Sequence, residues 1–163
     1  LNAFMPAKPG ESPASRGIPS KRSLWFDYGQ LPMAVTARWE AEDFLKLVFP
    51  PQYQRAQYDI AVKLVHLLGE HEEIGGDELA TWMQANGVPN STLRNLVIPK
   101  LYRVGMVARE RRNPTGQDLK DKRHRMVLKL SNRFGEALKH IGGEWVSLVE
   151  TGRIKRKKTV ESK

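Results

Sequence analysis

Residues 87–107 read GVPNSTLRNLVIPKLYRVGMV, and this stretch decides the fold. Gly87 suits the left-handed position that closes a helix, Val88 folds back onto the preceding turn, and Pro89 cannot continue the ladder. Asn90 or Ser91 then caps a new helix. Leu93, Leu96, Val97, Leu101 and Val104 recur at helical spacing as its buried stripe, and Gly105 ends it. Beyond Gly105 the apolar period drops to two, which opens a strand over 106–112. Helix, tight turn, helix and strand thus follow from one short run of residues.

Upstream, Asp77 is expected to cap the helix that Gly87 closes, with Leu79, Trp82 and Met83 on one face. Ile74 stands alone behind an acidic turn of Glu70, Glu72 and Glu73 and suits a very short strand. Tyr53, Ala56, Ile60, Leu64, Leu67 and Leu68 mark a longer helix that runs to Gly69. Before it, Thr36 caps a short helix with Ala41, Phe44, Leu45 and Val48 on one side, stopped by Pro50 and Pro51. Leu24, Trp25, Phe26 and Tyr28 make an aromatic patch, either a short strand or an arm docked on the body. Residues 1–22, rich in Pro, Ser, Gly and Ala, are expected to be a disordered leader.

Downstream, residues 122–130 read as a second strand, joined to the first by a loop opening Asn113-Pro114-Thr115-Gly116, which favours a type I turn. Met126, Leu128 and Leu130 point to one side of this strand, and Arg125, Val127 and Lys129 to the other. A last helix starts near Ser131 or Asn132. Phe134, Leu138, Ile141, Trp145 and Leu148 are spaced 4, 3, 4 and 3, the seam expected where one helix lies along another. That seam either joins two copies, the preferred reading and hence a homodimer, or packs on the chain's own first two helices. Gly142 and Gly143 favour a kink or break in it. The division expected is a leader (1–22), an aromatic arm with an N-terminal helix (23–52), a central domain (53–141), a helical extension (142–152) and a disordered basic tail (153–163).

Composition narrows the function. The chain has 163 residues, a net charge of +9 and no cysteine, which excludes disulfides, thiolate metal sites and a thiol nucleophile. No apolar run approaches the ~18 residues that span a bilayer, and the proline-rich start is no secretory signal. A cytoplasmic protein with no membrane contact is expected. Residues 91–130 carry eleven basic and three acidic groups, whereas 31–90 carry four and nine, so the positive charge gathers on one working region.

From residue 53 the order is helix, short extended stop, helix, tight turn, helix, two-stranded ribbon, helix. That order resembles a winged helix-turn-helix domain. LRNLVIPKLYRVGMV (93–107) resembles its recognition helix running into the first wing strand, and MVLKLSNRFGEAL (126–138) is similar to the second wing strand and next helix of MarR-like and PadR-like regulators. The resemblance implies a mainly α fold with a small β-ribbon and extra N- and C-terminal helices, nucleoid association, double-stranded DNA as partner, and dimerisation through helices outside the winged core.

A helix of this kind fits the major groove, where Asn reads adenine and Arg reads guanine by paired hydrogen bonds. Asn95 and Arg94 are the expected base readers, with Asn90, Ser91, Thr92 and Arg103 around them. Arg109, Arg111, Arg112, Lys120, Lys122, Arg123 and Arg125 supply charge to the ribbon, suited to phosphates. Pro99 removes an amide donor inside the helix and crowds the carbonyl of Asn95, which predicts a kink, and that kink is expected to free Lys100 from the apolar side. Ile98 and Tyr102 fall on the face expected to meet DNA, where they suit thymine methyls or sugars or, more in keeping with an exposed apolar pair and like the 24–28 arm, a protein partner. Trp25, Phe26 and Tyr28 suit either packing or base stacking. A transcription regulator is the first expectation. A replication, segregation or architectural DNA-binding protein is the second, and an RNA- or protein-binding module of the same fold the third. No phosphate-binding glycine loop, HExxH or nucleophile elbow is present, so neither catalysis nor a cofactor is expected. His66 and His71 lack metal-ligand spacing.

Overall fold

The computed structural model describes residues 24, 26, 28–34, 36–112 and 125–161. Over these the chain is mainly helical with a small three-stranded antiparallel sheet. After one 3-10 turn at Tyr28–Gln30 come α1 (Ala41–Val48), α2 (Pro51–Glu70), β1 (Ile74–Gly75) and α3 (Gly76–Ala85). Helix α4 fills 90–104: Asn90–Thr92 and Ile98–Val104 are α-helical, and a π turn at Leu93–Val97 joins them. Strands β2 (Val107–Arg112) and β3 (Arg125–Leu130) lead into α5 (Arg133–Glu161).

The α3–α4 turn is built as its residues dictate. Gly87 sits at φ 61°, Gly87 N–H donates to the Gln84 carbonyl at 3.4 Å, and Val88 N–H to that of Met83 at 2.9 Å. Val88 and Met83 are both buried, so the closing turn has its apolar clasp.

The helix starts differ from the expected ones. Trp39 Nε1–H donates to the Pro32 carbonyl at 2.9 Å, and α1 begins behind Glu40 instead of Thr36. Glu40 N–H donates to the Asp43 carboxylate at 3.2 Å. Because Gly75 is paired in the sheet, α3 begins directly after it rather than behind Asp77, and the Glu78 carboxylate takes the Gly75 N–H at 3.0 Å. Pro89, extended at ψ 124°, holds the N-cap position of α4, so neither Asn90 nor Ser91 caps it.

In the sheet β3 is central, with Leu128 opposite Ile74 on one side and Arg109 on the other. Ile74 therefore serves as the very short strand its isolation suggested. Val107, Leu128 and Ile74 close one side of a core whose deepest side chains include Phe49, Leu45, Leu64, Leu93, Leu101 and Val97. Met126 and Leu130 share the face of Leu128, yet both are exposed. Helix α2 buries Tyr58, Ile60, Ala61, Leu64 and Leu68, but Ala56 is exposed. Gln54 leaves helical geometry (φ −134°, ψ 46°), so the first turn of α2 is out of phase with the rest.

Helix α5 differs most from expectation. It runs 29 residues without a break at Gly142 and Gly143 and extends through Arg153–Lys158, where a disordered tail was expected. At ~1.5 Å per residue it is about 43 Å long. Lys, Arg and Glu are good helix formers, which carries the helix to its end despite the glycines. Its root is tied down: Phe134 N–H donates to the Gly105 carbonyl at 3.0 Å, and Ser131 N–H to that of Met106 at 2.9 Å. Of its side chains only Phe134 is buried, so beyond Phe134 the seam does not pack on the first two helices.

Candidate nucleic-acid interface

Pro99 organises the surface of α4. Having no N–H, it cannot bond back to the Asn95 carbonyl, and its ring crowds that oxygen. The chain answers with the wide turn, in which Ile98 N–H reaches the Leu93 carbonyl, five residues back. The wide turn sets Leu93 and Val97 one above the other in the core, both at 0% exposure, and leaves Arg94, Asn95 and Leu96 pointing outward.

This changes the face a regular helical wheel would assign. Leu96, expected in the buried stripe, is 42% exposed, and Ile98, expected on the outer face, is 3% exposed. A protein contact through Ile98 is thereby removed. Lys100 is not freed: it is 4% exposed, and its Nζ lies 5.0 Å from the centre of the Phe49 ring. Burial holds its pKa below the usual lysine value. Pro99 was the readable signal for the wide turn; the rotation it causes was not readable from periodicity.

Of the expected reading residues, Asn90, Ser91, Arg94, Asn95 and Arg103 are exposed and Thr92 is half-buried. Tyr102 is exposed as well, and the Arg109 guanidinium lies 5.7 Å from the centre of its ring. That contact ties the ribbon to α4. Strand alternation puts Arg111 on the same face as Arg109, since they stand opposite Met126 and Leu128. On the reverse face Lys129 and Glu110 form an ion pair. Arg112 and Arg125 stand opposite each other at the far end of the ribbon. Lys120, Lys122, Arg123 and the Asn113–Gly116 turn lie outside the described residues.

Elsewhere, Leu24, Phe26 and Tyr28 are exposed, so the described part of the aromatic arm is not docked on the body; Trp25 is outside the described residues. His66 Nε2 is 2.9 Å from a Glu42 carboxylate oxygen, tying α2 to α1, and that hydrogen bond is the main reason the Glu42 pKa lies below its ordinary value. Among the described residues no group of three or more His, Cys, Asp or Glu side chains could hold a metal ion, and no helix is long and apolar enough to cross a membrane. An open groove of about 600 Å³ at the root of α5 is lined in part by Phe44, Val65, Met106, Leu130 and Phe134. Of the expected dimer seam Phe134 is buried, whereas Leu138 39%, Ile141 62%, Trp145 65% and Leu148 64% stand exposed along α5.

Compared with protein-family models, curated proteins and solved structures, the chain matches none of them.

Proposed function

We propose that this chain is a winged helix-turn-helix protein that binds double-stranded DNA and regulates transcription, with α4 in the major groove and the β2–β3 ribbon on the flanking backbone. The observation that carries the reading is the Arg109–Tyr102 contact. It aligns the ribbon face of Arg109 and Arg111 with the outward face of α4, where Ser91, Arg94, Asn95 and Arg103 are exposed. One continuous basic and polar surface results, of a kind that suits a duplex. Asn95 and Arg94 read bases, and Arg109 and Arg111 hold phosphates.

The second part of the proposal is a homodimer through α5. An isolated helix with interior glycines and no packing partner is marginal in water. The bare seam of Leu138, Ile141, Trp145 and Leu148 repeats at the heptad spacing that a second copy of the same helix fits. A dimer would present two α4 helices to two half-sites.

Fluorescence anisotropy across a salt series tests the DNA reading, using one duplex selected from a random library and one scrambled duplex. Arg109→Ala and Arg111→Ala are expected to weaken both duplexes alike, each flattening the slope of log K against log salt by ~0.9. Asn95→Ala or Arg94→Ala is expected to relax choice at one or two base pairs, at about 1–3 kcal/mol on the selected site. Absence of duplex binding at low salt overturns the proposal.

A further inference from the structure

The outward rotation of Leu96 has no counterpart in the packing of the core. Leu96 belongs neither to the buried cluster nor to the partly buried side chains packed against it. It is one of two large apolar side chains exposed on α4, and the other, Tyr102, lies beside Arg109. Leu96 follows the exposed Arg94 and Asn95 in the wide turn, and Arg103 is exposed in the last turn of the same helix. An apolar side chain thus stands next to Asn95 on the exposed surface of α4.

Helix formation does not require a leucine there, since Ala, Lys or Glu serve an exposed position comparably. Leucine gains over these residues only by leaving water against another apolar group. The exposed Arg94 and Arg103 of α4 and Arg109 of the ribbon give this part of the molecule a positive charge that suits a polyanion. In the major groove of duplex DNA the apolar group on the base edges is the C5-methyl of thymine. We infer that Leu96, turned outward by the π turn at 93–97, is a specificity-determining residue that contacts a thymine methyl beside the base read by Asn95. This rests on the DNA-binding reading above and adds a base preference to it.

The test removes the methyl alone. In the selected duplex each thymine is replaced in turn by deoxyuridine, and binding is measured for the wild type, Leu96→Ala and Leu96→Gln. The wild type should lose about four-fold at one thymine, the factor that goes with one buried methyl group. Both variants should bind the thymine and deoxyuridine duplexes equally at that position. Circular dichroism and thermal midpoints close to those of the wild type establish that the variants are folded, and Leu96→Gln, of similar length and helix propensity, guards against loss of the Ala variant. A wild type that binds the selected duplex but is indifferent to every replacement overturns the inference and leaves DNA binding standing. So does a Leu96→Ala variant that keeps the same deoxyuridine penalty. A wild type that binds no duplex at low salt overturns both.

Discussion

Lys100 shows what a single residue can cost a fold. Its neighbours Val97, Ile98 and Leu101 are core residues, and after the wide turn position 100 is on the inner side with them. The Phe49 ring face offers the ammonium partial compensation, worth ~0.5–2 kcal/mol in general. Lys100→Met keeps the length of the side chain and removes the charge, so it is expected to stabilise the protein at neutral pH by about 1 kcal/mol, read by chemical denaturation. The pH dependence has a definite sign. Burial lowers the pKa in the folded state below the ordinary 10.5. Between the lowered value and 10.5 the unfolded chain holds a proton that the folded chain has released, so wild-type stability rises with pH there. Below that window both states are protonated and the full cost of burial remains. The Met variant should lack this alkaline rise; an identical rise in both proteins would place its origin elsewhere.

Among the elements, α4 and α5 depart from their sequence patterns for opposite reasons. In α4 one proline overrides the helical wheel, because a missing amide donor cannot be offset by neighbouring propensity. In α5 two glycines fail to stop a helix, because they lower propensity without blocking the ladder. A Cβ added at Gly142 or Gly143 would meet nothing within 4 Å. Gly142→Ala and Gly143→Ala are therefore each expected to stabilise α5 by about 1 kcal/mol, measured by thermal unfolding. In the heptad register set by the seam Gly142 lies beside the contact line and Gly143 on the side away from it, so a dimer should tolerate both. A loss of stability instead of a gain would show a partner backbone pressed against that side of the helix.

For the whole molecule the question is what covers α5 beyond its first turn. Full burial of a tryptophan removes ~150–250 Å² from water, and a standard interface buries about 800 Å² per partner. Trp145, Ile141, Leu138 and Leu148 supply the apolar centre of such a seam. Light scattering should report about twice the 18.6 kDa chain mass, and Trp145→Glu should shift the mass toward that of one chain. A monomeric wild type rules out the dimer without touching the DNA reading.

The element order was legible because its signals are local. Gly87, Val88 and Pro89 close a helix within one turn, and the alternation of Met126 to Leu130 marks a strand. The residues offered for reading and charge were legible by type, and Arg94, Asn95, Arg103, Arg109 and Arg111 do stand exposed. Which neighbours share their face was decided by tertiary structure. The outward turn of Leu96 and the burial of Ile98 and Lys100 depend on how α4, bearing its wide turn, seats against the core. The alignment of α4 with the ribbon depends on a contact between Tyr102 and Arg109 across the β2 junction. A helical wheel assumes one regular period and no second element. One extra residue in a turn invalidates the first assumption, and packing supplies what the second leaves out.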